Sequence, residues 1–81
     1  MILPTIHPNG TNRQALHEGY RDAITALEAA ITALVFTAPN GRDYYPQGPD
    51  AYRQAEREHV ARIRALNDVV LDLHALAAHT G

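Results

Sequence analysis

The residues able to do chemistry crowd into one segment, Pro39-Asn40-Gly41-Arg42-Asp43-Tyr44-Tyr45-Pro46-Gln47-Gly48-Pro49. It holds three of the five prolines, two of the five glycines and two of the four tyrosines, beside an Arg-Asp pair. A plain link between helices needs only a few polar residues and a glycine. Two aromatic rings, a guanidinium and a carboxylate on a proline-stiffened backbone make a candidate binding loop. Three readings of Arg42, Asp43, Tyr44 and Tyr45 stay open. The tyrosines can cover the end of a helical core while Arg42 pairs with Asp43. The rings can stack a base while Arg42 binds phosphate and Asn40 or Asp43 reads base or ribose edges. Tyr and Arg are equally the usual anchors of protein interfaces.

Arg53 and Arg57 follow one turn apart, close enough to the loop to share an anion with Arg42, and Arg64 lies further along. The alternative for these arginines is a solvated face mixed with Glu56 and Glu58. A second Pro-Asn-Gly string, Pro8-Asn9-Gly10, mirrors Pro39-Asn40-Gly41 at the other end of the first helical pattern. Asn and Gly both suit helix-terminating turns, so the pair can be two independent stop signals. As a site, Asn9 and Gly10 can meet the loop only across subunits.

Catalysis finds little support. The chain has no Ser and no Cys, the two commonest nucleophiles. His17, His59, His74 and His79 stand singly, without the spacing of a metal site, and His59 falls in an apolar row where a core or interface imidazole is expected. There is no glycine-rich phosphate loop. A protein without catalytic activity, cofactor or metal is expected.

Two helices must position these groups. From about residue 12 to 37, Leu16, Tyr20, Ala23, Leu27, Ala30 and Leu34 alternate at spacings of four and three, with Ile24, Ile31 and Val35 widening the stripe. Thr11 or Asn12 can cap this helix. Gly19 weakens it by about 1 kcal/mol relative to Ala, and close approach of another backbone there would account for it. The second helix spans about 50–79, opened by Pro49 and Asp50. Its apolar rows are Tyr52, His59, Leu66 and Leu73 beside Ile63, Val70 and Ala77, extended by Val60, Val69 and Leu76. Residues 38–49 form the loop, and residues 1–11 an arm and turn. Pro4 limits that arm to a short edge strand or an extended segment.

The fold expected is therefore mainly α, a single domain of two long antiparallel helices, each about 37 Å long. The apolar arcs are wider than one partner helix covers. A lone hairpin would leave Val60, Val69, Leu76 or the Ile24, Ile31 and Val35 edge in water, so a homo-oligomer is expected. Eighty-one residues sit near the size at which one core is marginal. A net charge of −2 argues against a duplex DNA or RNA partner, although all seven basic residues are Arg. Met1-Ile2-Leu3-Pro4 carries no basic region, no stretch nears the ~20 apolar residues of a membrane span, and no thiol calls for an oxidising compartment. No signal peptide and no membrane partner are expected, and the cytoplasm is compatible with this composition.

His7-Pro8-Asn9-Gly10-Thr11 before one long helix, then Pro39-Asn40-Gly41-Arg42-Asp43-Tyr44-Tyr45 before a second, resembles the first Thoeris anti-defence family of phage and prophage proteins. That resemblance covers the order of elements across most of the chain. It implies an oligomeric sponge in the host cytoplasm that sequesters a cyclic nucleotide immune signal, either a cyclic ADP-ribose isomer or a cyclic oligonucleotide. It also implies ligand contacts from Asn9 and Gly10, from Asn40, Gly41, Arg42, Asp43, Tyr44 and Tyr45, and from Arg53 and Arg57. The N-terminus is shorter than the family pattern, with barely one strand. The alternative reading is a small phage-type inhibitor or adaptor that binds a host protein through Tyr44 and Tyr45.

Overall fold

The computed structural model describes residues 1–7, Gly10 and residues 12–81. Two long helices dominate it: α1, Arg13–Val35, and α3, Pro49–Thr80, with a single helical turn, α2, Gly41–Tyr44, between them. Asn12 starts α1 from an extended backbone, and its side-chain oxygen accepts from the Ala15 N–H at 2.8 Å. One of the four unsatisfied donors of the helix end is thereby met. The far end tightens into three-residue turns, with Thr37 N–H donating to Leu34 at 2.9 Å and Ala38 N–H to Val35 at 3.3 Å. Pro39 then stops the chain from continuing. Thus α1 is shorter at both ends than the 12–37 expected, and α3 is one residue longer at each end than 50–79.

The helices run antiparallel. His17 near the start of α1 meets Ala77 and Thr80 near the end of α3, while Leu34 shares a cleft with Ala55 and His59. The result is a rod of 61 × 21 × 17 Å. Its core is narrow: Ile24, Val70 and Ala77 are buried, and Tyr20, Leu27, Ile31 and Leu73 pack against them. Ile24, placed on the edge of the stripe by spacing, is in fact its centre, while Ala30 and Val35 are exposed. Val60 and Val69 lie exposed on α3 as expected for a lone hairpin, and Leu76 is half-buried. Among the described residues, Gly19 has no neighbouring atom within 4 Å of where a Cβ would sit, so no backbone approach among them accounts for it.

The loop is more ordered than a plain connector. Asn40 caps α2 by accepting from the Arg42 N–H at 3.0 Å, and a 3-10 turn, Tyr45–Gln47, follows with Pro46 in its first turn. Gly48 then takes φ 95°, the one glycine among the described residues with positive φ, and Pro49 opens α3. At the N-terminus no strand forms among the described residues; Pro4 lacks an N–H, and no second strand is present to pair with. Residues 1–7 are instead a non-regular arm, held where the His79 Nε2–H donates to the Pro4 carbonyl at 2.8 Å. No helix is long and apolar enough to cross a membrane among the described residues.

Candidate functional site

The ordered loop packs against the first turn of α3 and leaves a concavity of about 710 Å³. Gly41, Arg42, Tyr44, Tyr45, Gly48, Pro49, Tyr52 and Arg53 surround it. Each is placed by a local cause. The Asn40 cap fixes the direction of α2, so Arg42 and Tyr44 leave the backbone from one short helical turn. Tyr45 and Pro46 continue into the 3-10 turn, which holds the Tyr45 ring out at 85% exposure. The positive φ of Gly48 reverses the chain, so that Tyr52 and Arg53, one turn into α3, come back beside the loop.

Five of the expected site residues meet here: Gly41, Arg42, Tyr44, Tyr45 and Arg53. Asn40 supports the wall as a cap and does not line it. Asp43 lies exposed in the first turn of α2 and forms no ion pair with Arg42; Arg53 lies 3.9 Å from Asp50, and the His74 ring, charged only when protonated, lies 3.9 Å from Glu28. Arg57 points its Nη2 to Gln54 Oε1 at 2.7 Å and lines a separate shallow depression with Val60 and Arg64. Gly10 sits at the opposite end of α1, beside Ile6, His7, Asn12 and Arg13. Asn9, with Pro8 and Thr11, lies outside the described residues. With the 23 residues of α1 in between, about 35 Å of helix separates Gly10 from the loop within one chain.

Tyr52 is the residue that spacing did not single out. It belongs to the apolar row of α3, but three positions after Pro49 it stands at the end of the hairpin, where that row has run past the core. Its phenol donates a hydrogen bond to the Glu56 carboxylate, and this bond, with the nearby negative charge and slight desolvation, raises the Tyr52 pKa above the ordinary 10.0. Arg53 is held only loosely: its Nη1 is 3.9 Å from Asp50 Oδ1 with both groups exposed, an arrangement worth little and readily surrendered to another anion.

The arrangement offers three aromatic faces and two guanidinium groups around one hollow. That is stacking and anion-binding chemistry, with volume in the range of small-molecule sites. No group of three or more His, Asp or Glu side chains converges as a metal site among the described residues. Comparison with protein-family models, with characterised proteins and with solved structures yields no match, so the site is read from its own geometry.

Proposed function

We propose that this protein binds and sequesters a small cyclic nucleotide without transforming it, with bases stacked on tyrosine and phosphates on arginine. The observation that carries this is the convergence of Tyr44, Tyr45 and Tyr52 with Arg42 and Arg53 around one concavity of about 710 Å³. Sequestration needs a rigid pocket, not a nucleophile, and a capped, proline-bounded loop lowers the ordering cost of binding. The resemblance to the Thoeris anti-defence family supplies the ligand class: a cyclic ADP-ribose isomer or a cyclic oligonucleotide acting as an immune signal. In this reading hairpins assemble as a homo-oligomer, and the turn at Asn9 and Gly10 of one copy completes the loop site of another.

The test is a thermal-shift series with cyclic ADP-ribose isomers and cyclic di- and trinucleotides. The true ligand raises the melting temperature by mass action and is recovered unchanged after heat denaturation. Arg42→Ala and Tyr52→Ala abolish the shift while leaving the helical content intact. No shift with any of these nucleotides would reject the proposal. One observation favours a second reading: Tyr45 and Phe36, near the same end of the rod, are each 85% exposed, as the anchors of a docking surface for a host protein would be. Capture of one partner protein that is lost on Tyr45→Ala, with no nucleotide shift, selects that reading.

A further inference from the structure

Behind the tyrosine concavity is a second, polar cleft of about 280 Å³ where the end of α1 crosses α3. Its polar lining comes from Thr37, Tyr44, Gln54, Glu58, His59 and Arg62. His59 is only 7% exposed, yet its imidazole has no hydrogen-bond partner among the described residues. No fully buried side-chain nitrogen or oxygen is left unpaired among them either. The ring nitrogens of His59 therefore open onto solvent, and the cleft is the hollow they line. A ring that is buried except where its nitrogens meet a cleft, and that has no protein partner there, is a place for a ligand's polar atoms.

The lining decides which ligand. Glu58 and Arg62 cancel in charge, so neither a bare phosphate nor a cation is favoured. Gln54 keeps its amide donors, because its oxygen already accepts from Arg57 at 2.7 Å. The Thr37 hydroxyl donates to Leu34 at 2.7 Å and keeps a free lone pair. His59 offers one donor and one acceptor when neutral, and a carboxylate can accept from two adjacent hydroxyls at once. Such an alternation of donors and acceptors matches a neutral, hydroxyl-rich group. The cavity has room for about nine waters, at about 30 Å³ each, which a pentose ring would displace. Tyr44 lines both hollows and is the wall between them.

We propose that the cleft over His59 is a subsite for the vicinal diol of a pentose ring, with Glu58 as the main acceptor and His59 and Gln54 beside it. This rests on the nucleotide reading in one respect: the pentose is taken to belong to the same ligand, a cyclic ADP-ribose isomer with a free ribose diol, which straddles Tyr44 with its base and phosphate on the arginine side. A cyclic oligonucleotide, whose ring closure uses one of the two hydroxyls, has no such diol to offer.

The experiment follows the His59 imidazole and the tyrosine ring signals by NMR during titration with three probes: methyl β-ribofuranoside, AMP and 2′,3′-dideoxy-AMP. The furanoside and AMP are expected to move the His59 signals. The dideoxy compound should bind on the order of tenfold more weakly than AMP, the loss of a hydrogen bond to a charged acceptor. Glu58→Gln should bring AMP down to the dideoxy level and leave the dideoxy affinity unchanged. Movement of the tyrosine signals by AMP with His59 unmoved by both sugar-bearing probes, or equal affinity for AMP and its dideoxy form, overturns the diol subsite and leaves the nucleotide reading standing. Movement of His59 by the furanoside, with no tyrosine response to AMP and no thermal shift with any cyclic nucleotide, keeps the subsite and defeats the nucleotide reading. Silence from all of these probes, the cyclic nucleotides included, defeats both.

Discussion

The His17 Nδ1 atom lies 2.9 Å from the Ala77 carbonyl oxygen, joining residues 60 positions apart at the open end of the hairpin. Thr80 completes this clasp. Its hydroxyl is 3.3 Å from the same ring nitrogen, donates to the Leu76 and Ala77 carbonyls, and is buried to 1% exposure. The imidazole of α1 thus reaches a carbonyl in the last turn of α3 that the Thr80 hydroxyl also serves, and it ties the two helices together there. His79, one residue before Thr80, ties down the N-terminal arm in the same region. His17→Ala should cost about 1–2 kcal/mol, and Thr80→Val about 1 kcal/mol, because each removes a hydrogen bond at a part-buried end. Urea unfolding measures both, and unchanged midpoints would show that the clasp holds nothing.

Two glycines should respond to alanine in opposite directions. Gly48 has φ 95° and ψ 167°, a region in effect open only to glycine, with no neighbouring atom that a Cβ would strike. Gly48→Ala therefore costs about 1–3 kcal/mol through backbone strain alone, and it shifts the loop against α3. Gly19 is helical and exposed, with open space around it among the described residues. Gly19→Ala should stabilise by about 1 kcal/mol through helix propensity. A destabilised Gly19→Ala would instead point to a second copy packed closely there. Thermal unfolding of the two variants beside the unaltered protein decides the matter.

These cases show what local pattern carries and where it stops. Asn12, Pro49 and Asp50 announced the helix starts because capping is a property of neighbours in sequence. The alternation of four and three marks α1 and its apolar face, and the rows at spacing seven mark those of α3. Which residue sits at the centre depends on how the two faces rotate against each other, and so Ile24 was misplaced on an edge. Tyr52 reads as core because its row is core further along; only the end of the hairpin exposes it to the loop. His17 and His79 look solitary in sequence because their partners lie on the far side of a long-range fold. The loop residues were visible as chemistry, but the division between wall, cap and bystander needed the α2 turn, which separates Arg42 and Tyr44 from Asn40 and Asp43.

The bond between Tyr52 and Glu56 makes a prediction about pH. Since the bonded, protonated phenol is favoured, Tyr52 should ionise above the ordinary tyrosine value, and Glu56→Gln should lower its titration toward 10.0. The sign for stability follows from linkage. A group whose folded pKa is raised contributes fully below its unfolded pKa, and the contribution fades as pH rises through the folded value. Any such loss therefore falls above about pH 10, and the exposure of the phenol keeps it small. Phenolate absorbance during a pH titration, with Tyr52→Phe to assign the component, measures the shift. A Tyr52 component that Glu56→Gln leaves in place would remove the carboxylate as its cause.

Assembly can be tested from the apolar surface that the hairpin leaves uncovered. Phe36 is 85% exposed and Leu71 66% exposed, with Val35, Val60 and Val69 also exposed, while among the described residues Ile24, Val70 and Ala77 are the buried apolar ones, with Tyr20, Leu27, Ile31 and Leu73 packed half-buried against them. Of the large apolar side chains among the described residues, just Ile24 and Val70 are thus buried, a thin core for an 81-residue monomer. Covering a Phe or Leu side chain is worth about 1.5–3 kcal/mol, so its loss from an interface should weaken association roughly tenfold or more. Sedimentation over a concentration series should therefore find an oligomer in the unaltered protein. Phe36→Ser and Leu71→Ser should shift its dissociation midpoint upward, and Ala26→Ser, at an exposed small residue, should not. The melting temperature should rise with protein concentration for the same reason. A monomer at micromolar concentration, with a melting temperature independent of concentration, would mean that these side chains face water, and that each hairpin must build its ligand site alone.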